Sequence, residues 1–363
     1  MEIGMPITKR RKKFETIKRL IKKVCGERLY FFIAQAYGWN FRVWTTNLVS
    51  YLSIRLRIPK ARIRPTSLNF EATNICNADC VFCAYSQMER PKKVMSMDLF
   101  KRVVDQFVSL DGTNVSLTPI VGEPFVDKHL FERLDYLSSI PQIKDIAFHT
   151  NAIIMDISKS SRLFDYINKV HLNISFGGFD KESFHQVMGV DKFDAARRNT
   201  EALLAKKIEL GKPLSIDILP RCPKSKCRGE FYDYLVDMRE KGIVEMEEPL
   251  RSFDSWAGKI QDVDLLEAGL TPRPMPHKFG PCAYLLTTPV VLADGRVNAC
   301  CCRDVEASLI IGDLEKESLA DVLSGEKLKN LIHRHARSDF PEICKKCTQY
   351  NPLYTRFTPF DVS

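Results

Sequence analysis

Residues 67–83 read SLNFEATNICNADCVFC. The first seven residues read as a β-strand. Three cysteines follow at once, Cys76, Cys80 and Cys83, separated by three and then two residues. In a parallel α/β sheet, ligands bind beyond the carboxyl ends of the strands, so this loop is where a catalytic centre belongs. Three thiolates can hold three irons of a [4Fe–4S] cluster and leave the fourth iron an open position, as a catalytic zinc keeps one. A bidentate amino and carboxylate ligand fills such a position. The alternative is a zinc knuckle, which asks for a fourth ligand nearby. Asp79 and His129 are the candidates, and neither sits in a zinc-finger spacing.

Outward from this loop, strands and helices alternate. Helix-like SMDLFKRVVDQFVSL, with Ser96 as its cap, is followed by the strand NVSLTPI and a helix around 127–139. Next come the strand DIAFHT, a short helix near 158–167, the strand KVHLNISF and a helix over 192–210. LSIDIL is a fifth strand, GEFYDYLVDMREKG a helix ending at Gly242, and VEMEE a sixth strand. This βα alternation implies a parallel sheet wrapped by helices. Six units predict a partial (β/α)6 TIM-like barrel over 66–249, of α/β class, followed by a Pro-rich, charged linker over 250–280.

With that order in place, the motifs carry a resemblance. The cysteine spacing, with aromatic Phe82 before the last cysteine, resembles the signature of the radical S-adenosylmethionine (SAM) superfamily. VGEP, Val121 to Pro124, ends the second strand and resembles the family's motif for the cofactor's amino group, with Glu123 and the backbone near Gly122 as contacts. Val121 stands where the family usually has another glycine. HTNA, His149 to Ala152, ends the third strand and resembles the family's Thr-Asn-Gly, which makes Thr150 and Asn151 cofactor contacts and puts Ala152 in place of glycine. Ser175, at the end of the fourth strand, matches a serine used near the ribose or carboxylate. The resemblance covers roughly 67–245. It implies SAM bound at the open iron, reductive cleavage to a 5′-deoxyadenosyl radical, hydrogen abstraction from substrate, and a flavodoxin- or ferredoxin-type electron donor.

A second constellation lies in residues 281–363: Cys282, Cys300, Cys344 and Cys347. TTPVVLADGRVNACC reads as two short strands around Asp294-Gly295, a strong hairpin signal, and a helix near 316–332 precedes PEICKKC. The arrangement resembles the Twitch form of the auxiliary-cluster domain, a shortened relative of SPASM, and predicts a small α+β domain. Four thiolates would fully ligate a second [4Fe–4S] cluster, which favours electron transfer or structural support. A zinc site with four cysteine ligands is the alternative. Cys300, Cys301 and Cys302 are consecutive, so the ligand among them is ambiguous; strand neighbours face opposite ways, and Cys300 matches the family position.

Of the remaining cysteines, Cys25 reads as packing, while Cys222 follows the fifth strand and is a candidate hydrogen donor to a substrate radical, against the plainer reading of a buried thiol. Arg221, Lys224, Lys226 and Arg228 in the loop RCPKSKCRG suit a phosphate or carboxylate, or are solvated loop charges.

The net charge is +9, and its excess is local. Residues 1–65 hold 16 Lys and Arg against 3 Asp and Glu, so the rest of the chain carries −4. This basic, aromatic helical extension suits an anionic membrane surface, or is a solvated helix face; no nucleic-acid module accompanies it. No secretory signal is visible, so the cytosol is expected, with peripheral contact at the inner membrane surface. Thiols stay reduced there, and clustered cysteines read as cluster ligands. The expected activity is dehydrogenation or epimerisation of a small-molecule, sugar or peptide substrate. The alternatives are a peptide-modifying maturase of the same superfamily, or a non-catalytic iron–sulfur or zinc protein that binds a partner through its basic N-terminus.

Overall fold

The computed structural model describes residues 67–278, 280–301 and 303–351. Residues 1–65, with Cys25 and the basic amphipathic stretch, lie outside the described residues, as does Cys302. Six parallel strands come first: β1 (Ser67–Phe70), β2 (Asn114–Ser116), β3 (Asp145–Thr150), β4 (Val170–Phe176), β5 (Ser215–Pro220) and β6 (Glu245–Met246). Their order in the sheet is their order in the chain. Between them run α1 (Met97–Ser109), α2 (Leu130–Ser139), α3 (Ile157–Arg162), α4 (Lys181–Met188), α5 (Phe193–Leu210) and α6 (Glu230–Glu240).

Local chemistry accounts for these elements. Ser96 caps α1 by accepting from the Leu99 N–H, and Met97, Phe100, Val104 and Phe107 return at helical spacing to bury one face. Each such side chain contributes about 1.5–3 kcal/mol on burial. Phe100 meets Phe70 of β1 at 4.8 Å between ring centres. Along β4, Val170, Leu172, Ile174 and Phe176 are buried, while His171, Asn173 and Ser175 take the other face. One face of the sheet is therefore apolar against helices and the other is polar.

Helix α4 falls within GGFDKESFHQVMG, a stretch outside the helices expected from periodicity. Its signals are local: Asp180 and Ser183 form a capping box, and Gly189 ends it at φ 70. In the opposite direction, the helix expected near 316–332 is two, because Gly325 is extended between them.

Past β6 come α7 (Asp262–Glu267), α8 (Tyr284–Thr287), β7 (Val290–Val291), β8 (Arg296–Asn298), β9 (Ile310–Asp313), α9 (Leu319–Ser324), α10 (Glu326–Ala336) and α11 (Glu342–Lys346). Strand β7 pairs with β1 in parallel, Asn69 opposite Val290 and Phe70 opposite Val291, and β8 and β9 continue antiparallel. One nine-stranded sheet results, in the order β6-β5-β4-β3-β2-β1-β7-β8-β9. The β1 edge that a six-stranded partial barrel leaves open is thus covered. Residues 250–270 pack as well: Phe253, Trp256, Ile260, Leu265 and Leu270 are buried in one apolar cluster with Val121, Val290 and Leu292. Among the described residues no helix is long and apolar enough to cross a membrane.

Candidate functional site

The loop after β1 is pinned from two sides. The Asp79 and Val81 N–H groups donate to the carbonyls of Met188 and Val187 at 3.1 and 3.0 Å, at the end of α4. Gly189 caps that helix, and a Cβ there would meet the Asp79 carbonyl oxygen at 2.1 Å. Only glycine meets both demands, the left-handed backbone and the close approach. On the other side, Trp256 Nε1 donates to the Phe82 carbonyl at 2.7 Å, and the Phe82 ring lies 5.7 Å from that of Phe253.

Cys76, Cys80 and Cys83 are free, partly buried thiols in this loop. Burial pushes Cys76 up to about 12 and Cys83 up to about 11, and pushes Cys80 well above the usual thiol range. Cys83 opposes the ionisation of both Cys76 and Cys80. Thiols gathered this way resist ionising until a cation sits among them, and thiolate is the ligand that iron–sulfur clusters take. The donor set fits a [4Fe–4S] cluster with one iron left free. Among the described residues, no three His, Cys, Asp or Glu side chains gather closely enough to hold a single metal ion.

Beside the loop, Glu123 is buried. Its Oε1 accepts from the Thr150 hydroxyl at 2.7 Å and the Phe125 N–H at 3.2 Å, and its Oε2 accepts from the Asn151 N–H at 2.9 Å. Burial pushes its carboxyl up to about 7, against those three donors. The carboxylate ties the end of β2 to the end of β3. Asn151 Nδ2 then donates to Asn77 Oδ1 in the cysteine loop at 2.7 Å. Gly122, at φ 118, passes so near β1 that a Cβ would meet the Thr73 carbonyl oxygen at 2.2 Å. Ala152 adopts φ 58, left-handed backbone that costs a residue other than glycine about 1–2 kcal/mol. That is the position where the resembled motif has glycine. Val121 is buried in the apolar cluster. Ser175, partly buried at the end of β4, has Arg221 Nε 3.5 Å from its hydroxyl.

Cys282, Cys300, Cys344 and Cys347 line one cavity. Burial comes first in pushing Cys344 and Cys347 up, and Cys282 and Cys347 add to it for Cys344. Four thiols around a pocket with Leu285, Leu309 and Ile343 fit a fully ligated cluster. Cys301 is buried in the apolar cluster instead, accepting from the Thr288 hydroxyl at 3.2 Å. Two further residues line the cavity that sequence reasoning passed over. His335 is buried, and burial pushes it down to about 4. Arg303 stacks over Trp256 at 4.7 Å and pairs with Asp254, and its charge partly opposes the burial that pushes Cys83 and Cys347 up. It therefore stands near both groups of cysteines. No motif flags either residue, since each acquires its neighbours only through folding.

The chain matches the Radical SAM superfamily model over residues 70–220 and the SPASM iron–sulfur cluster-binding domain model over 282–348. Residues 70–220 are thus a radical SAM domain, followed by a SPASM iron–sulfur domain over 282–348. Its cofactors are S-adenosylmethionine and [4Fe–4S] clusters, two of them. Among curated relatives it is similar to the GTP 3′,8-cyclase of Pasteurella multocida, 26% identical over 37% of this chain and 40% of that protein, and to that of Vibrio atlanticus, 28% identical with the same shares. The match thus spans well under half the length of those cyclases. Among solved structures it shares its fold with BtrN in complex with AdoMet and 2-DOIA, at TM-score 0.53 and 16% identity over 82% of this chain and 98% of that one. Streptococcus suis SuiB bound to precursor peptide SuiA gives TM-score 0.53 and 16% identity, over 74% of this chain and 66% of that one.

The polar face of this radical SAM barrel carries one row of side chains at matched register: His149 on β3, Asn173 on β4, Asp217 on β5 and Glu245 on β6. His149 is open to water on one side yet surrounded by protein, and burial, with Arg221 and His171 nearby, pushes it down to about 4. His171 Nε2 lies 3.0 Å from Asp217 Oδ2. At the end of β5 neighbouring residues diverge. Arg221 has Glu247, Arg303 and Cys80 as titratable neighbours, whereas Cys222 is fully buried with its Sγ 3.8 Å from that of Cys227. Lys226 of the same loop is held by the Ala268 carbonyl at 2.9 Å, and Lys224 and Arg228 reach the surface.

Proposed function

We propose that the chain oxidises its substrate: a hydrogen atom leaves an unactivated carbon, followed by one proton and one electron, a two-electron dehydrogenation. In this reading Cys76, Cys80 and Cys83 hold the first cluster, and Cys282, Cys300, Cys344 and Cys347 hold the second. When bound, SAM at the reduced first cluster supplies a 5′-deoxyadenosyl radical, and the second cluster supplies a one-electron acceptor. Phe82, Gly122, Glu123, Thr150, Asn151 and Ser175 shape the SAM pocket. Glu123 does so as a positioning residue, since its oxygens are occupied by Thr150, Asn151 and Phe125. The polar row from His149 to Glu245 receives a substrate rich in hydrogen-bonding groups, a sugar-like or peptide compound.

The observation that carries this reading is the cavity lined by four cysteines, of which Cys300 lies just past β8, on the extension of the same sheet whose β1 precedes the first three. Full ligation leaves no iron for substrate, which favours an electron-accepting role. Epimerisation is the second reading, with Cys222 returning a hydrogen atom; the burial of that thiol beside Cys227 weighs against it. A flavodoxin- or ferredoxin-type protein would deliver the reducing electron, and the basic extension over 1–65 would dock on anionic lipid.

Anaerobic reconstitution with iron and sulfide counts, and a 5′-deoxyadenosine assay with dithionite, tests the assignment. About eight irons are expected, falling to about four with cofactor cleavage lost in Cys76→Ala/Cys80→Ala/Cys83→Ala. Four irons in the unaltered protein, with cleavage retained, would remove the second cluster and with it the oxidation. Offered 2-DOIA and SuiA as first probes, a Cys222→Ala variant should keep product formation. Loss of product with 5′-deoxyadenosine still formed would favour epimerisation.

A further inference from the structure

His335 sits on α10 with its ring fully buried, lining the cavity of Cys282, Cys300, Cys344 and Cys347. Neither ring nitrogen has a hydrogen-bond partner among the described residues. Phe340 packs its ring edge-to-face on the imidazole at 4.8 Å, which fixes the ring plane. A neutral imidazole always carries one N–H, and a buried N–H left without an acceptor forfeits its hydration for nothing. Two other polar groups of this wall are turned elsewhere. The Tyr350 hydroxyl donates to the Gly280 carbonyl at 2.7 Å, and Gln349 Oε1 accepts from Arg273. A cluster seated among the four cysteines would bring sulfur acceptors to this wall.

We propose that His335 donates its ring N–H to a sulfur atom at the second cluster, sulfide or cysteine thiolate, and so holds that cluster's reduction potential up. This rests on the four-cysteine reading above. The reduced cluster carries one more negative charge, so a donor aimed at its sulfur stabilises the reduced form more than the oxidised form. His335 is then a positioning residue that sets how readily the substrate's electron is accepted.

The test is an EPR-monitored redox titration of the reconstituted full-length protein. A parallel set in the Cys76→Ala/Cys80→Ala/Cys83→Ala background isolates the second signal. Three variants are compared: His335→Leu removes the donor, His335→Asn places an amide N–H near the position of Nδ1, and His335→Gln one near Nε2. His335→Leu should keep its iron and shift the one-electron equilibrium toward the oxidised form by about tenfold, about 59 mV more negative. One of the two amides should recover most of the shift, and ¹⁵N-histidine labelling should show a coupling to the reduced cluster that His335→Leu loses. An unchanged potential with iron retained in His335→Leu overturns the proposal. Iron lost in all three variants overturns it too, because His335 would then be a ligand. Absence of iron in the parent triple variant sinks the four-cysteine reading itself.

Discussion

At the scale of single residues, charge and hydrogen-bond polarity decide outcomes that volume does not. Glu123 accepts from three donors while fully buried. In Glu123→Gln the amide NH2 must face the Asn151 N–H on one side or the Phe125 N–H on the other, donor against donor. The expected loss is about 1–3 kcal/mol of stability together with weaker SAM binding, read by thermal melting and calorimetric titration. An unchanged SAM affinity would detach this brace from the cofactor pocket. His149 makes a pH prediction. Its folded-state pKa, about 4, lies below the ordinary histidine value of 6.5, so the unfolded chain binds more protons between these limits. The stability that follows from this difference is fully present above pH 6.5 and is lost as pH falls toward 4. His149→Gln lacks the titrating ring, so its melting temperature should fall less steeply over that window than that of the unaltered protein.

At the scale of helices and loops, one backbone position pins the cysteine loop. Gly189 ends α4 and lets the Asp79 carbonyl approach to where a Cβ would stand at 2.1 Å. Gly189→Ala adds that Cβ in left-handed backbone, and the cysteine loop, hydrogen-bonded to Met188 and Val187, must shift. Reconstituted iron should drop toward the count of the second cluster alone; full iron with a normal cluster spectrum would count against this coupling. α1 makes a contrasting prediction. Phe100 is buried against Phe70, far in kind from any ligand, and Phe100→Ala should cost about 3–5 kcal/mol of stability without changing which thiols bind iron. Denaturant unfolding and an iron count on the folded fraction separate the two effects.

Across the whole molecule, the two cysteine groups are held in one frame. β1 precedes the first group and pairs with β7, which precedes Cys300. Glu71, just past β1, takes Arg90 in a two-point ion pair at 2.6 and 3.0 Å, and Arg90 Nε donates to the Val305 carbonyl at 2.6 Å. Both side chains are buried or nearly so. Truncating Glu71 to alanine leaves the guanidinium without its carboxylate, a loss of about 3–5 kcal/mol by the usual cost of breaking a buried pair. Because Arg90 joins the two cysteine-bearing regions, limited proteolysis should then cut between residues 83 and 300 sooner than in the unaltered protein. Equal resistance would mean that β1–β7 pairing alone holds the frame.

The sequence by itself determined the parallel βα alternation, the three-cysteine loop after the first strand, the four-cysteine constellation and the hairpin at Asp294-Gly295. These rest on periodicity, turn chemistry and short-range spacing, all properties of neighbouring residues. α4 was missed, because its signals are the local Asp180–Ser183 capping box and Gly189 and its apolar pattern is too short to show helical periodicity. Only the tertiary structure decided that β7 joins β1, that residues 250–270 pack under the cysteine loop, that Glu123 is consumed by the fold, and that Cys300 lines the cavity while Cys301 faces the core. It alone brought His335 and Arg303 to the second cavity. These are contacts between residues far apart in the chain, set by which faces of a folded sheet and its helices bury together, and no local pattern encodes them.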